Sequence, residues 1–230
     1  GDLTASFVHI RRGLPELPCW FRIKQMVPCK LLSYFTTPDL FRQDLPSHKI
    51  YDILSENRKG DLAMDTQLFQ IGPIPAALWG PPSERVTVAV HGAQSSKTDV
   101  PFRLLAEAFP DRQVLSFDLP EHGSRKGAPP LCKPPVCARE LSAVLDSAES
   151  HWKSIDLFAV SMGAYFSLLA CPGRNLAHAW FLSPVVDMEG LTRDMMAWFQ
   201  ISETRLKAEG AIPTPMGQTL YWDDLCYIRA

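Results

Sequence analysis

The nonapeptide FAVSMGAYF, Phe158 to Phe166, sets a serine between an apolar run and a helical pattern. Ala159 lies two residues before Ser161, and Gly163 and Ala164 lie two and three after it. Backbones crowd at a sharp strand-to-helix turn, so small neighbours are what such a turn requires. The turn lifts the serine Oγ out of the sheet. It also sets it at a helix N-terminus, where unpaired N–H groups favour developing negative charge. Those features suit nucleophilic attack on a carbonyl carbon. A second reading of the same residues is a serine in a tight turn of an unrelated doubly wound fold.

VAVHGAQ, 88–94, is the second stretch with chemical content. A strand that ends in His-Gly lets the next backbone N–H point into a pocket. The N–H groups of Ala93 and Met162 are therefore candidates for the two arms of an oxyanion hole. His91, Gly92 and Gln94 in the same loop, with Trp198 further on, are candidate substrate contacts. FDLPEHGSR, 117–125, falls between the two motifs.

Regular elements must hold these loops together. QLFQI (67–71) and PAALWG (75–80) read as short strands joined at Gly72 and Pro73, and RVTVAVHG (85–92) is a β-branched run. Helical spacing follows at 98–108, a strand opens at 113, and a helix is expected over 137–152. IDLFAV (155–160) is a buried strand, MGAYFSLLA (162–170) a helix, and AHAWFLSP (177–184) another strand. Alternation of this kind predicts an α/β fold, a mostly parallel sheet with helices on both faces. After Pro184, EGLTRDMMAWFQIS and TLYWDDLCYIRA read as amphipathic helices. Met195, Met196, Trp198 and Phe199, with Leu220, Tyr221 and Trp222, fit either an apolar pocket lining or ordinary packing onto the sheet.

HGAQSSK, SFDLPEHGSR, AVSMGAYFSLL and LSPVVDMEGL, in that order, resemble the α/β-hydrolase superfamily, closest to small bacterial esterase- or lysophospholipase-like serine hydrolases. The resemblance covers roughly residues 63 to 230. It implies an N-terminal extension over 1–62, an α/β-hydrolase core over 63–187, and a helical cap or lid segment over 188–230. It implies Ser161 as nucleophile, no cofactor and no metal, and a small acyl substrate. In the family's chain order an acid and then a histidine follow the nucleophile. Asp187 is a candidate acid, and is equally suited to cap the helix that starts near Glu189. No histidine follows His178, and His178 opens a strand at the end away from Ser161. His122, in PEHG, is the best local substitute as base. The expectation is that the polypeptide is longer and continues with two more strands. Otherwise it is a shortened relative whose open sheet edge is covered by residues 1–62 or by a second chain.

Composition bounds the alternatives. The 230 residues carry a net charge of −2, which argues against nucleic acid as a partner. No apolar run reaches the length of a membrane span, and the start lacks the apolar stretch of a signal peptide. Six scattered cysteines read as reduced thiols in a cytoplasmic protein, although Cys132 and Cys137 flank KPPV in a loop and would pair if oxidised. In the extension, 48–60 reads as a short helix, and CWFRIKQM as a packed segment or a membrane-surface one. Three functions remain open: a serine hydrolase acting on a carboxylic ester or related acyl bond, an acyltransferase using the same serine, and a non-catalytic binding protein on this fold.

Overall fold

The structure is a computed structural model and describes residues 66–230. The expected helix at 48–60, CWFRIKQM, and residues His9, His48, Cys19 and Cys29 lie outside the described residues. Six strands form one sheet: β1 (Thr66–Ile71), β2 (Ile74–Trp79), β3 (Arg85–Val90), β4 (Gln113–Phe117), β5 (Ser154–Val160) and β6 (His178–Leu182). Their order is β1-β2-β4-β3-β5-β6. The first two pairings are antiparallel, and those among β4, β3, β5 and β6 are parallel. The β1–β2 hairpin closes at Ile71 and Ile74, with Gly72 at φ 57. A two-residue hairpin loop needs positive φ there, which glycine adopts without strain.

Three helices cover the parallel part: α1 (Val100–Ala108), α2 (Pro134–His151) and α3 (Met162–Ala170). Along β5 the faces alternate. Ile155, Leu157 and Ala159 enter the core shared with Leu141, Val144, Leu145 and Ala148 of α2 and Ala164 and Phe166 of α3. Phe158 and Val160 enter the opposite core with Phe102, Leu105 and Ala106 of α1. Burial on both faces is why β5 reads as a continuous apolar run. Helix α2 starts at Pro134, three residues before the expected 137. Prolines tolerate a first helical turn, whose N–H groups have no intrahelical acceptor.

The C-terminal part holds α4 (Met188–Trp198), α5 (Glu203–Glu209), a hairpin of β7 (Ala211–Pro213) and β8 (Thr219–Tyr221), and α6 (Trp222–Arg229). The helix expected across TLYWDDLCYIRA is thus corrected: its first three residues are a strand. Gly210 at φ 75 ends α5, and Gly217 at φ 77 turns the hairpin. Met195, Met196, Ile201, Leu206, Ile212, Leu220 and Leu225 form a separate small core here. Met195, Met196 and Leu220 therefore pack among themselves, in a cluster separate from the two cores on the sheet.

Candidate active site

From β3 the chain passes to β4 on one side and later to β5 on the other, with α1 on one face of the sheet and α2 on the opposite face. The carboxyl end of β3 is therefore where the topology switches, and crevices in open α/β sheets lie there. The loops after β3 and β5 meet at this edge. A Cβ added to Gly92 would lie 3.2 Å from the Ser161 Cβ. One added to Gly163 would lie 2.4 Å from the His91 carbonyl oxygen and 2.9 Å from that of Val90. The small residues around Ser161 thus answer a close backbone approach.

Ser161 itself has φ 52 and ψ −120. That is the mirror image of the first corner of a type II turn, a conformation natural to glycine and strained for serine. Among the described residues, Gln94, Glu121, Ser161, Ser183 and Gln200 are the non-glycine residues with positive φ. The first four follow the carboxyl ends of β3, β4, β5 and β6 in turn, so backbone strain gathers at one edge of the sheet. Ser161 is pinned from the β6 side: its N–H donates to the Leu182 carbonyl (3.0 Å), and its carbonyl accepts from Val185 N–H (3.1 Å). Its carbonyl also accepts from Ala164 N–H at 3.1 Å as α3 begins. The Oγ does not cap that helix and has no hydrogen-bond partner among the described residues. The Ala93 and Met162 N–H groups also have no acceptor among the described residues.

Two buried groups hold the loops. The His91 ring is 1% exposed. Its Nε2 accepts from Leu119 N–H (3.0 Å), which leaves Nδ1–H to donate to the Gly92 carbonyl (2.7 Å). Burial lowers its pKa to about 4, so it is neutral at pH 7. The expectation of His91 as a substrate contact is corrected, because both ring nitrogens are used to join the loops after β3 and β4. Asp118 is fully buried. Its Oδ1 accepts from Lys97 N–H (2.8 Å), and its Oδ2 from Lys97 Nζ (2.6 Å), Ser124 N–H (2.9 Å) and Ser124 Oγ (2.7 Å). Burial pushes its pKa up, but the Lys97 and Ser124 hydrogen bonds outweigh that and the net shift is downward. Arg125 extends the network, donating to the Asp118 carbonyl and gripping Glu140 of α2 with two hydrogen bonds of 2.6 and 2.8 Å.

The remaining candidates sit as follows. Gln94 Nε2 donates to the Met216 carbonyl at 3.0 Å, so its amide docks the β7–β8 turn on this loop. Trp198 ends α4 and is 62% exposed. Its ring stands outside the small core formed by its neighbours. Asp187 is exposed and caps α4, its Oδ1 accepting from Gly190 N–H at 2.8 Å, which is the capping alternative. His178 lies at the opposite end of the sheet, against Asp156 Oδ1 at 2.8 Å. Asp156 in turn receives Arg112 in a buried ion pair.

His122 is at the nucleophile's edge, its ring centroid 5.2 Å from that of His91. Its Nδ1 meets the Pro120 carbonyl at 2.7 Å; burial lowers its pKa, but nearby Cys132 and the Pro120 carbonyl outweigh that and the net shift is upward. The imidazole proposed as substitute base has its Nδ1 engaged with Pro120 and makes no hydrogen bond to Ser161. Sequence reasoning did not foresee this His122–Cys132 contact. It depends on how two loops fold together, and only the shared proximity to β4 hinted at it. Among the described residues no cluster of His, Cys, Asp and Glu is arranged to hold a metal ion, and no helix is long and apolar enough to cross a membrane.

Comparison with known proteins meets this geometry. A model of the alpha/beta hydrolase family matches residues 87–225, more than half of the chain. Among solved structures, Est1E from Butyrivibrio proteoclasticus, determined with ferulic acid bound, is similar with a TM-score of 0.55 at 16% identity, over 71% of this chain and 70% of that one. Alpha/beta hydrolase domain-containing protein 10 from mouse is similar with a TM-score of 0.52 at 15% identity, over 72% of this chain and 69% of that one. At such identities the likeness speaks for the fold alone. No curated protein matches the sequence. The strand order, the turn at Ser161 and the family match agree: this chain belongs to the alpha/beta hydrolase family.

Proposed function

We propose that the chain is a serine hydrolase that cleaves a carboxylic ester or related acyl bond through an acyl-enzyme on Ser161. The observation that carries this reading is the conformation of Ser161. A serine is held at φ 52 where glycine would sit unstrained, and its Oγ is spent neither on capping α3 nor on any other described residue. Strain of this kind, kept on a side chain with no structural bond, supports a functional demand for the hydroxyl.

In the proposed reaction Ser161 Oγ attacks the acyl carbon. The C–O π bond opens, and the oxyanion is received by the Ala93 and Met162 N–H groups, aided by the N-terminal end of α3. A general base takes the serine proton and returns it to the leaving alcohol, and water then releases the acyl group. His91 uses both ring nitrogens on the loops and His122 Nδ1 meets the Pro120 carbonyl, so neither ring is hydrogen-bonded to Ser161. Those engagements favour a second reading, a ligand-binding protein that keeps the oxyanion pocket without turnover. Fluorophosphonate labelling separates the two. A stoichiometric adduct on Ser161, lost in Ser161→Ala, supports the hydrolase; no adduct on Ser161 supports the binding protein.

A further inference from the structure

Outside the nucleophile's turn, the most reactive constellation among the described residues is a pair of thiols beside an imidazole. Cys132 lies in the loop before α2, and Cys137 lies in the first turns of that helix. Their Sγ atoms are 3.6 Å apart. Lys133 and the prolines at 134 and 135 bridge them, and Cys137 N–H donates to the Lys133 carbonyl at 2.9 Å, which fixes the turn. The His122 imidazole is close enough to Cys132 to act on it electrostatically, and Glu121 Oε2 holds the Cys132 N–H at 2.7 Å. Cys132 is part-exposed and Cys137 is fully buried. Of the two residues, Cys132 is the one with exposed surface, and Cys137 has none.

We propose that Cys132 is a peroxide-reactive thiol and Cys137 its resolving partner, so that small hydroperoxides convert the pair to a disulfide. In the first step the Cys132 thiolate attacks one peroxide oxygen. An S–O bond forms, the O–O bond breaks, and the departing hydroxide or alkoxide takes the proton held by the His122 imidazolium and leaves as water or the matching alcohol. Cys132 has lost two electrons to the peroxide and stands as a sulfenic acid. In the second step Cys137 gives up its proton and its sulfur attacks the Cys132 sulfur. The S–S bond forms, the S–O bond breaks, and hydroxide leaves with that proton as a second water. The net change is two thiols and one hydroperoxide to one disulfide, the matching alcohol or water, and water. His122 supplies the cation that favours the attacking thiolate and the proton that the leaving oxygen needs.

The electrostatics agree in direction. The contact with Cys137 lowers the Cys132 pKa, burial opposes that, and the nearby His122 adds to the lowering, so the net shift is downward. The same contact with Cys132, followed by burial, pushes Cys137 up. The charged groups facing Cys132 are His122, Glu121 and Asp224 of α6, with Lys133 next in sequence. Glu121 and Asp224 oppose the thiolate. Cys226, an exposed thiol on α6, is an internal reference without an imidazole partner.

The test uses the intact chain and hydrogen peroxide. Trypsin does not cut at Lys133 before Pro134, so residues 127–139 leave as one peptide that carries both cysteines. After brief peroxide treatment and alkylation of remaining thiols, that peptide is expected unalkylated and lighter by two hydrogens, while Cys226 is still alkylated. In Cys137→Ser, a dimedone adduct is expected on Cys132. Iodoacetamide rates for Cys132 are expected to level off at lower pH than those for Cys226, and the difference to shrink in His122→Asn. Peptide 127–139 with two free thiols after Cys226 has oxidised would overturn the proposal. So would matching pH profiles for Cys132 and Cys226 in the unmodified chain, a measurement that needs no variant to fold.

Discussion

Ser161→Gly should make the protein more stable while removing the hydroxyl proposed as nucleophile. Serine at φ 52 and ψ −120 lies in a sparsely populated region whose cost is roughly 1–3 kcal/mol for a non-glycine residue. Glycine relieves that cost and gives back about 0.5–1 kcal/mol through the greater freedom of the unfolded chain. No hydrogen bond enters the balance, since the Oγ has no partner among the described residues. The expected net gain is about 1 kcal/mol. Ser161→Ala is the control, because it also lacks the hydroxyl but keeps the Cβ and therefore the strain. Urea unfolding followed by tryptophan fluorescence measures both, and a domain of this size should show a melting shift of roughly 2–4 °C per kcal/mol. The result expected is Ser161→Gly above both the unmodified protein and Ser161→Ala, with the last two nearly equal. A Ser161→Gly variant no more stable than Ser161→Ala would refute the claim that strain is stored at this turn.

Two further outcomes follow from the buried groups beside it. Asp118→Asn leaves the largely buried Lys97 ammonium without its anion and should cost roughly 3–5 kcal/mol by urea unfolding; a change below about 0.5 kcal/mol would contradict the role given to that pair. His91 sets an acid limit. Its folded pKa, about 4, lies below the ordinary 6.5, so its contribution is fully present above about 6.5 and is lost as pH falls through 4. The full loss is about 3 kcal/mol at 1.36 kcal/mol per pKa unit. The stability difference between the unmodified protein and His91→Gln should therefore narrow between pH 7 and pH 4. A pH-independent difference would count against a neutral, buried His91.

Much of the fold is legible in the sequence because the parallel strands are buried on both faces. RVTVAV and SIDLFAV carry that in composition alone, and their boundaries match the structure closely. The Ser161 turn is legible because Gly163 has to clear two backbone carbonyls and leaves its trace as a small residue. The hairpin at 211–221 is not legible, since three-residue strands are too short to show an alternation. The pairings that redirect site residues also leave no local mark. Gln94 to Met216 spans 122 positions, and nothing near Gln94 announces that its amide is used there. His122 looks like a base in sequence because it follows β4 at the correct edge. Its hydrogen bond to Pro120 and its closeness to Cys132 appear only when the loops are packed.

The most direct measurement is fluorophosphonate labelling of the purified chain, with the adduct located by mass spectrometry in the tryptic peptide that contains Ser161. The account predicts a stable phosphonyl adduct on Ser161, with no labelling of the Ser161→Ala protein. An intact, folded chain with Ser161 unmodified, or with the label on another serine, would contradict it.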